Sequence, residues 1–221
     1  GTIQRDVKAG DKAAKKEDDA LKKLMPGLEE GRLARAVLEN EEEREYLKQL
    51  NLLTMKPMLY VLNKKSGGMN LDELADERYK NLMDFLEKSG SLWCVVDASV
   101  ESELRDIADE DKQTFRQELG AIDDGIDGLI RKGYELLGLI TYFTTGEDET
   151  RAWTIKDGWT APLAGTAIHT DFKDKFIRAE VVACDKLLEA GSYPAAKEKG
   201  WVRTEGKEYV VKDGDVIEFR I

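Results

Sequence analysis

At 221 residues the chain is long enough for one large domain or two small ones, and for a real hydrophobic core. Apolar residues make up 41% and charged residues 36%, and no run approaches the roughly 18 to 20 consecutive apolar residues of a membrane-spanning helix, which excludes that role. The formal net charge of −11 opposes a large nucleic-acid footprint, because each phosphate contact needs a cation.

The charge is unevenly spread. Residues 1–57 hold 12 basic and 12 acidic side chains, residues 58–138 hold 10 and 18, and residues 139–221 hold 12 and 15, so a polyanion would prefer the two ends. Cys94 and Cys184 each sit in an apolar run, which suits small buried side chains better than metal ligands or a disulfide framework. His169 is the one histidine, so Cys/His zinc sites and two-histidine metalloprotease motifs cannot be assembled. The first residues carry no apolar leader stretch, and the expectation is a cytoplasmic protein or a piece of one.

From Thr2 to Leu53 the composition is helical, rich in Ala, Leu, Lys and Glu, and reads as a helical hairpin broken mainly at Pro26-Gly27 and Gly31. Asn40 followed by Glu43 has capping-box-like spacing, with Tyr46, Leu47 and Leu50 as one apolar stripe behind it. Lys56-Pro57 ends this region. Residues 58–62 form a short continuous apolar run, the pattern of a strand buried on both faces, and Asn63 ends it. After Gly67-Gly68, Asn70 is expected to cap a helix carrying Leu71, Leu74, Ala75, Leu82, Phe85 and Leu86. Residues 92–96 form a second buried strand. Two such strands joined by a helix make a right-handed βαβ unit whose functional residues fall just past the strands' C-terminal ends, here 63–66 and 97–101.

Residues 109–137 read as helix in two segments, the first ending at Leu119 and the second presenting Ile126, Leu129, Ile130, Leu136 and Leu137. Asp109-Glu110-Asp111 and Asp123-Asp124, at helix starts, complement the helix dipole in preference to binding metal. From Leu139 the pattern becomes short strands: 139–143 and 151–155 around Thr145-Gly146, then 181–183, 208–211 and 216–221, with one helix of about ten residues from Asp185. A mixed sheet of four or five strands on one helix is a β-grasp arrangement, so the fold class is α+β.

Four segments now carry a resemblance: 40–63 (NEEEREYLKQLNLLTMKPMLYVLN), 128–153 (GLIRKGYELLGLITYFTTGEDETRAW), 165–182 (GTAIHTDFKDKFIRAEVV) and 205–220 (EGKEYVVKDGDVIEFR). In order, and over nearly the whole chain, they resemble the Obg-like ATPase, or YchF, family. The resemblance implies a helical coiled-coil arm over 1–56, the C-terminal portion of a P-loop NTPase domain over 57–138, and a TGS domain of β-grasp fold over 139–221. It also implies ATP or GTP with Mg²⁺ in the intact protein, and a link between nucleotide binding and the ribosome. No Gly-x-x-x-x-Gly-Lys-Ser/Thr motif occurs in this chain, so no cofactor and no hydrolysis are expected of it alone.

The resemblance places the base-reading edge at Asn63-Lys64-Lys65-Ser66, where ordinary GTPases have Asn-Lys-x-Asp and the family usually has Glu in the last place. Ser66 departs from both and offers no charged bidentate acceptor, which argues against guanine selection. Asp97-Ala98-Ser99 falls on the next base-contacting loop and keeps part of a Ser-Ala-Lys pattern, making Ser99 the fourth candidate beside Asn63, Lys64 and Ser66. Asn63 also has a plain reading as a turn or capping residue.

Lys8, Lys12, Lys15, Lys16, Lys22 and Lys23 recur along the first helix among acids, either as a solvated face or as a contact with RNA. Lys173, Lys175 and Arg178, interleaved with Phe172 and Phe176, form a small basic-aromatic patch, although two core phenylalanines explain the aromatics equally well. His169 reads as a packing or capping residue beside Thr170-Asp171. The rival reading of the whole chain is an RNA- or protein-binding adapter without nucleotide chemistry. An independent acid-base hydrolase lacks a convergent pair of acids.

Overall fold

A computed structural model describes residues 2–119, 125–146 and 149–221, in two units, Gly1–Met58 and Leu59–Ile221. In the first, α1 (Thr2–Lys8) ends at Gly10, whose φ of +87° favours glycine, and Asp11 then caps α2 (Lys12–Glu29) by accepting from the N–H groups of Ala13 and Ala14. The helix does not break at Pro26-Gly27. It runs through both to Glu29, and Gly27, lacking a Cβ, lets Val37 pack directly on the backbone. After Gly31 the chain returns as short pieces, α3 (Ala34–Val37) and α4 (Glu41–Tyr46), in place of a second long arm. Ala20, Leu24, Ala34, Val37, Leu38 and Leu47 form the core of this unit.

Asn40 caps α4 as its spacing predicts, accepting from Glu42 N–H at 2.8 Å. The capping box is not completed: the Glu43 carboxylate takes the Lys23 ammonium at 2.9 Å instead. The expected stripe also fails at its end. Leu47 is buried, but α4 stops at Tyr46, so the chain turns and Leu50 is left 45% exposed.

In the second unit β1 (Leu59–Asn63) and β2 (Leu92–Val96) pair in parallel, level from Leu59↔Leu92 to Asn63↔Val96, with α5 (Glu77–Ser89) as the crossover. Asp76, not Asn70, caps α5, accepting from Arg78 N–H. Ala75 at φ +51° cannot continue a right-handed helix, so Leu71 and Leu74 lie exposed before it. The strand pair is a two-stranded sheet among the described residues, and Val61 is 45% exposed, so burial on both faces is not realised. Then come α6 (Ala98–Leu104), α7 (Asp109–Glu118) and α8 (Gly125–Leu137). Ile126, Ile130 and Leu137 of α8 are exposed rather than forming a buried stripe, since no element described here covers that side. Asp109, Glu110 and Asp111 fall in the first turn of α7, as the dipole reading requires; Asp123-Asp124 lie outside the described residues.

The remainder is one mixed sheet in the order β4-β3-β7-β5-β6, built from β3 (Leu139–Thr145), β4 (Thr150–Lys156), β5 (Arg178–Ala183), β6 (Arg203–Glu205) and β7 (Asp215–Arg220). β3 and β7 are parallel, and the other pairs are antiparallel. Alternation along β5 sends Ala179 and Val181 to one core with Tyr142, Ile155, Phe176 and Ile217, and Val182 to another with Val216 and Ala196. Helices α9 (Ala161–Gly165) and α10 (Asp171–Asp174) precede β5. The single helix expected from Asp185 is two, α11 (Cys184–Ala190) and α12 (Tyr193–Glu198), divided by Gly191 and the cap Ser192. Residues 208–211 are not a strand of this sheet. They run beside Trp159–Ala161, with Ala161 N–H donating to Tyr209 C=O at 2.8 Å and Val211 N–H to Trp159 C=O at 3.0 Å. The edge next to β5 is the polar β6, whose side chains left no apolar signal. Among the described residues no helix is long and apolar enough to cross a membrane.

Candidate functional site

The level register of β1 and β2 brings the loops that follow them side by side, and Lys64 N–H extends the pairing by one bond to Val96 C=O at 2.9 Å. Asn63 Oδ1 accepts from Ala98 N–H at 3.1 Å, across to the second loop. Asp97, only 2% exposed, caps α6 through Oδ1, which accepts from Ser99 N–H at 3.0 Å and Val100 N–H at 3.1 Å. Its Oδ2 accepts from Ser66 N–H at 2.5 Å. Burial pushes the Asp97 carboxyl up, but the N–H groups of Ser66, Val100 and Ser99, with the Ser66 hydroxyl, together outweigh it and hold the group below the usual carboxylate range.

Lys64 is turned away from this edge. Its ammonium lies 2.8 Å from Asp72 Oδ2 and 3.1 Å from Glu73 Oε1, and those hydrogen bonds raise its pKa while lowering that of Asp72. Asn70 folds the same loop back on itself: its Oδ1 accepts from Lys65 N–H and its Nδ2 donates to Lys65 C=O, both at 3.0 Å. The structure therefore gathers Ser66 and Ser99 on the Asp97 carboxylate, ties Asn63 to the next backbone N–H, that of Ala98, and holds Lys64 on a neighbouring acidic pair. Asn63, Lys65, Ala98 and Ser99 are exposed on the edge, and the polar ones among them can hydrogen-bond a flat polar rim, but among the described residues of the edge no carboxylate is left unengaged to recognise two adjacent donors. Sequence reasoning named the loop of Asp97 but not its carboxylate; the available signal was an acid directly after a strand and two residues before a helical Ser-Val, an N-cap spacing.

Beside β1 and β2 lies a cleft of about 1270 Å³, lined in part by Val61, Leu104, Ile126 and Leu129 and crossed by a mostly buried ion pair, Arg116 to Glu101 at 2.6 Å.

The basic candidates separate into paired and unpaired groups. Lys16 is bonded to Glu42 and lies over the Tyr46 ring, and Lys22 and Lys23 pair with Asp18 and Glu43, whereas Lys12 and Lys15 are exposed with no ion pair among the described residues. In the second unit Lys175 bonds Asp171 at 2.6 Å and Arg178 lies 3.9 Å from Glu180, leaving Lys173 exposed. Phe176 is 3% exposed and belongs to the core, and half-buried Phe172, like Phe176, is engaged edge-on by the Phe219 ring, so the pair does not form an open stacking platform. His169 Nδ1 accepts from Asp171 N–H at 3.2 Å, a local capping role. No group of His, Cys, Asp and Glu that could hold a metal occurs among the described residues.

Helices in the first unit, and one parallel and one mixed sheet in the second, define an α+β protein. The family model YchF-GTPase_C, whose description reads "Protein of unknown function (DUF933)", matches residues 139–221. The chain is 46% identical over 99% of its length to the "Ribosome-binding ATPase YchF" of Bacillus subtilis and 42% identical over 99% to that of Haemophilus influenzae, spanning 59% of each relative. It superposes on the structure of the Schizosaccharomyces pombe YchF GTPase with a TM-score of 0.77 at 30% identity, over 95% of this chain and 55% of that one. The chain belongs to the YchF family and corresponds to the C-terminal part of its members.

Proposed function

We propose that the chain is the recognition part of a translation-associated, nucleotide-binding YchF-type NTPase: the loops after β1 and β2 supply the base-facing edge, and the helical arm and the C-terminal sheet engage the ribosome or its RNA. The observation that carries this reading is the pair of loops, tied together at the C-terminal ends of two level parallel strands, the place where open α/β sheets bind ligands. On this reading residues 1–56 are the arm, 57–138 the end of the NTPase domain and 139–221 a TGS domain of β-grasp fold; the order β4-β3-β7-β5-β6 with its parallel central pair supports the last assignment. Mg²⁺ and the phosphates of ATP or GTP would be held by a P-loop that this sequence does not contain. The compartment that follows from ribosome engagement is the cytoplasm.

Two measurements test it. Isothermal titration of this chain with Mg-ATP and Mg-GTP should show nothing tighter than about 100 μM, roughly −5.5 kcal/mol, because an edge without a phosphate cradle forfeits most of the binding energy. Cosedimentation with ribosomes should fall when Lys12 and Lys15, or separately Lys173, are changed to Gln, and should weaken as salt rises. Sedimentation equal to the parent for every variant would remove the ribosome reading and leave an adapter for another partner.

A further inference from the structure

We propose that Asp97 is the positioning residue of this edge: paired with Ser66, its buried carboxylate sets the spacing between the loop after β1 and the loop after β2. The inference rests on the base-edge reading for its functional meaning, but its geometry stands apart from it.

An N-cap aspartate needs one oxygen for its helix and ordinarily leaves the other to water. Asp97 is 2% exposed, and its second oxygen reaches 31 residues back along the chain to Ser66 N–H. Asn63 answers in the opposite sense, its side chain on the first loop accepting from the Ala98 backbone of the second, 35 residues on. Side chain to backbone in both directions is a reciprocal clasp. It holds the two loops to the tolerance of a hydrogen bond, a few tenths of an ångström, which is the precision that reading a flat ring demands.

No cation partners the Asp97 carboxylate among the described residues; N–H groups and the Ser66 hydroxyl satisfy it. With both oxygens engaged and no exposed face, it acts on a ligand only through the backbone that it fixes. Against the Asn-Lys-x-Asp and Ser-Ala-Lys pattern, acid and hydroxyl have changed places: Ser66 stands on the first loop and Asp97 on the second. The exchange keeps an acid–hydroxyl pair at the junction while withdrawing the charge from the ligand's side.

Asp97→Asn separates positioning from capping. The amide oxygen still accepts from Ser99 and Val100 N–H and preserves α6, but the amide nitrogen cannot accept from Ser66. Hydrogen exchange by NMR should show the Ser66 amide at least about tenfold faster in this variant, with Val100 and the β1–β2 amides unchanged. Millimolar adenosine and guanosine should shift the Asn63, Ser66 and Ser99 amides of the parent, and less so in Asp97→Asn. Unchanged exchange at Ser66 in Asp97→Asn overturns the positioning role. Faster exchange there, but no nucleoside shifts in the parent, upholds the clasp and overturns the base-edge reading instead.

Discussion

The hydroxyl of Tyr142 donates to the carbonyl of Ala164 at 3.0 Å, in a core where Tyr142 is fully buried. This bond fastens α9 to β3 from inside the sheet, and the same ring meets Phe219 of β7 edge-on at 5.9 Å. Burial drives the Tyr142 pKa up, so the phenol stays protonated in the folded protein.

Tyr142→Phe should destabilise the second unit by about 1 to 2 kcal/mol, since the ring remains but the Ala164 carbonyl loses its partner in the dry interior. Thermal unfolding at neutral pH measures this. The stabilising preference for the neutral phenol is complete below the unfolded tyrosine value of about 10 and is lost as pH rises above it, because the unfolded chain ionises there first. The gap between parent and Phe variant should therefore shrink in alkaline solution; a constant gap from pH 8 to 11 would contradict the burial argument.

Gly27→Ala should destabilise the first unit by about 1 to 3 kcal/mol, although alanine is the better helix former by about 1 kcal/mol. The new Cβ would overlap Cγ2 of Val37, a stiff, buried side chain. Adding Val37→Ala should recover part of the loss, and helix content followed by circular dichroism during denaturation reads both variants.

Asp76 should titrate at about 2, held down by hydrogen bonds from the Arg78 guanidinium and then from Arg78 N–H. A depressed carboxylate contributes its stability above the unfolded value of about 3.9 and loses it as pH falls through the folded value. Protection of the first turn of α5 should therefore decline between about pH 4 and pH 2. In Asp76→Asn, which keeps a cap but not the charge, that pH dependence should vanish; NMR of the Arg78 amide across this range decides it.

Hydrogen exchange should be slower at Val181 and Ile217, inside a five-stranded sheet with buried side chains, than at Val61, in a two-stranded sheet and 45% exposed. A difference of more than about tenfold is expected. Stronger protection at Val61 would show that the strand pair is the more stable element.

Continuous apolar runs made β1 and β2 legible to within a residue, and short runs bounded by turn residues made β3, β4, β7 and the second half of β5 legible, because such runs are properties of neighbours in sequence. Asn40 and Asn63 were placed correctly for the same reason: each sits where an element begins or ends. The polar edge strand β6 had no such mark, and Tyr209 to Val211 resembled a strand while spending its backbone bonds on Trp159 and Ala161.

The sequence by itself determined that two parallel strands would present adjacent loops, that the negative charge is concentrated in residues 58–138, and that these 221 residues contain no phosphate-binding motif. Tertiary structure alone decided what those residues do. Lys64 went to Asp72 and Glu73, Lys16 and Lys23 to Glu42 and Glu43, and Phe172 and Phe176 to edge-on contact with Phe219. Asp97 met Ser66 across 31 residues of chain. Periodicity and capping are read within a turn or two of helix, but a hydrogen bond between distant residues exists only once packing has fixed their separation, and no local pattern encodes that distance.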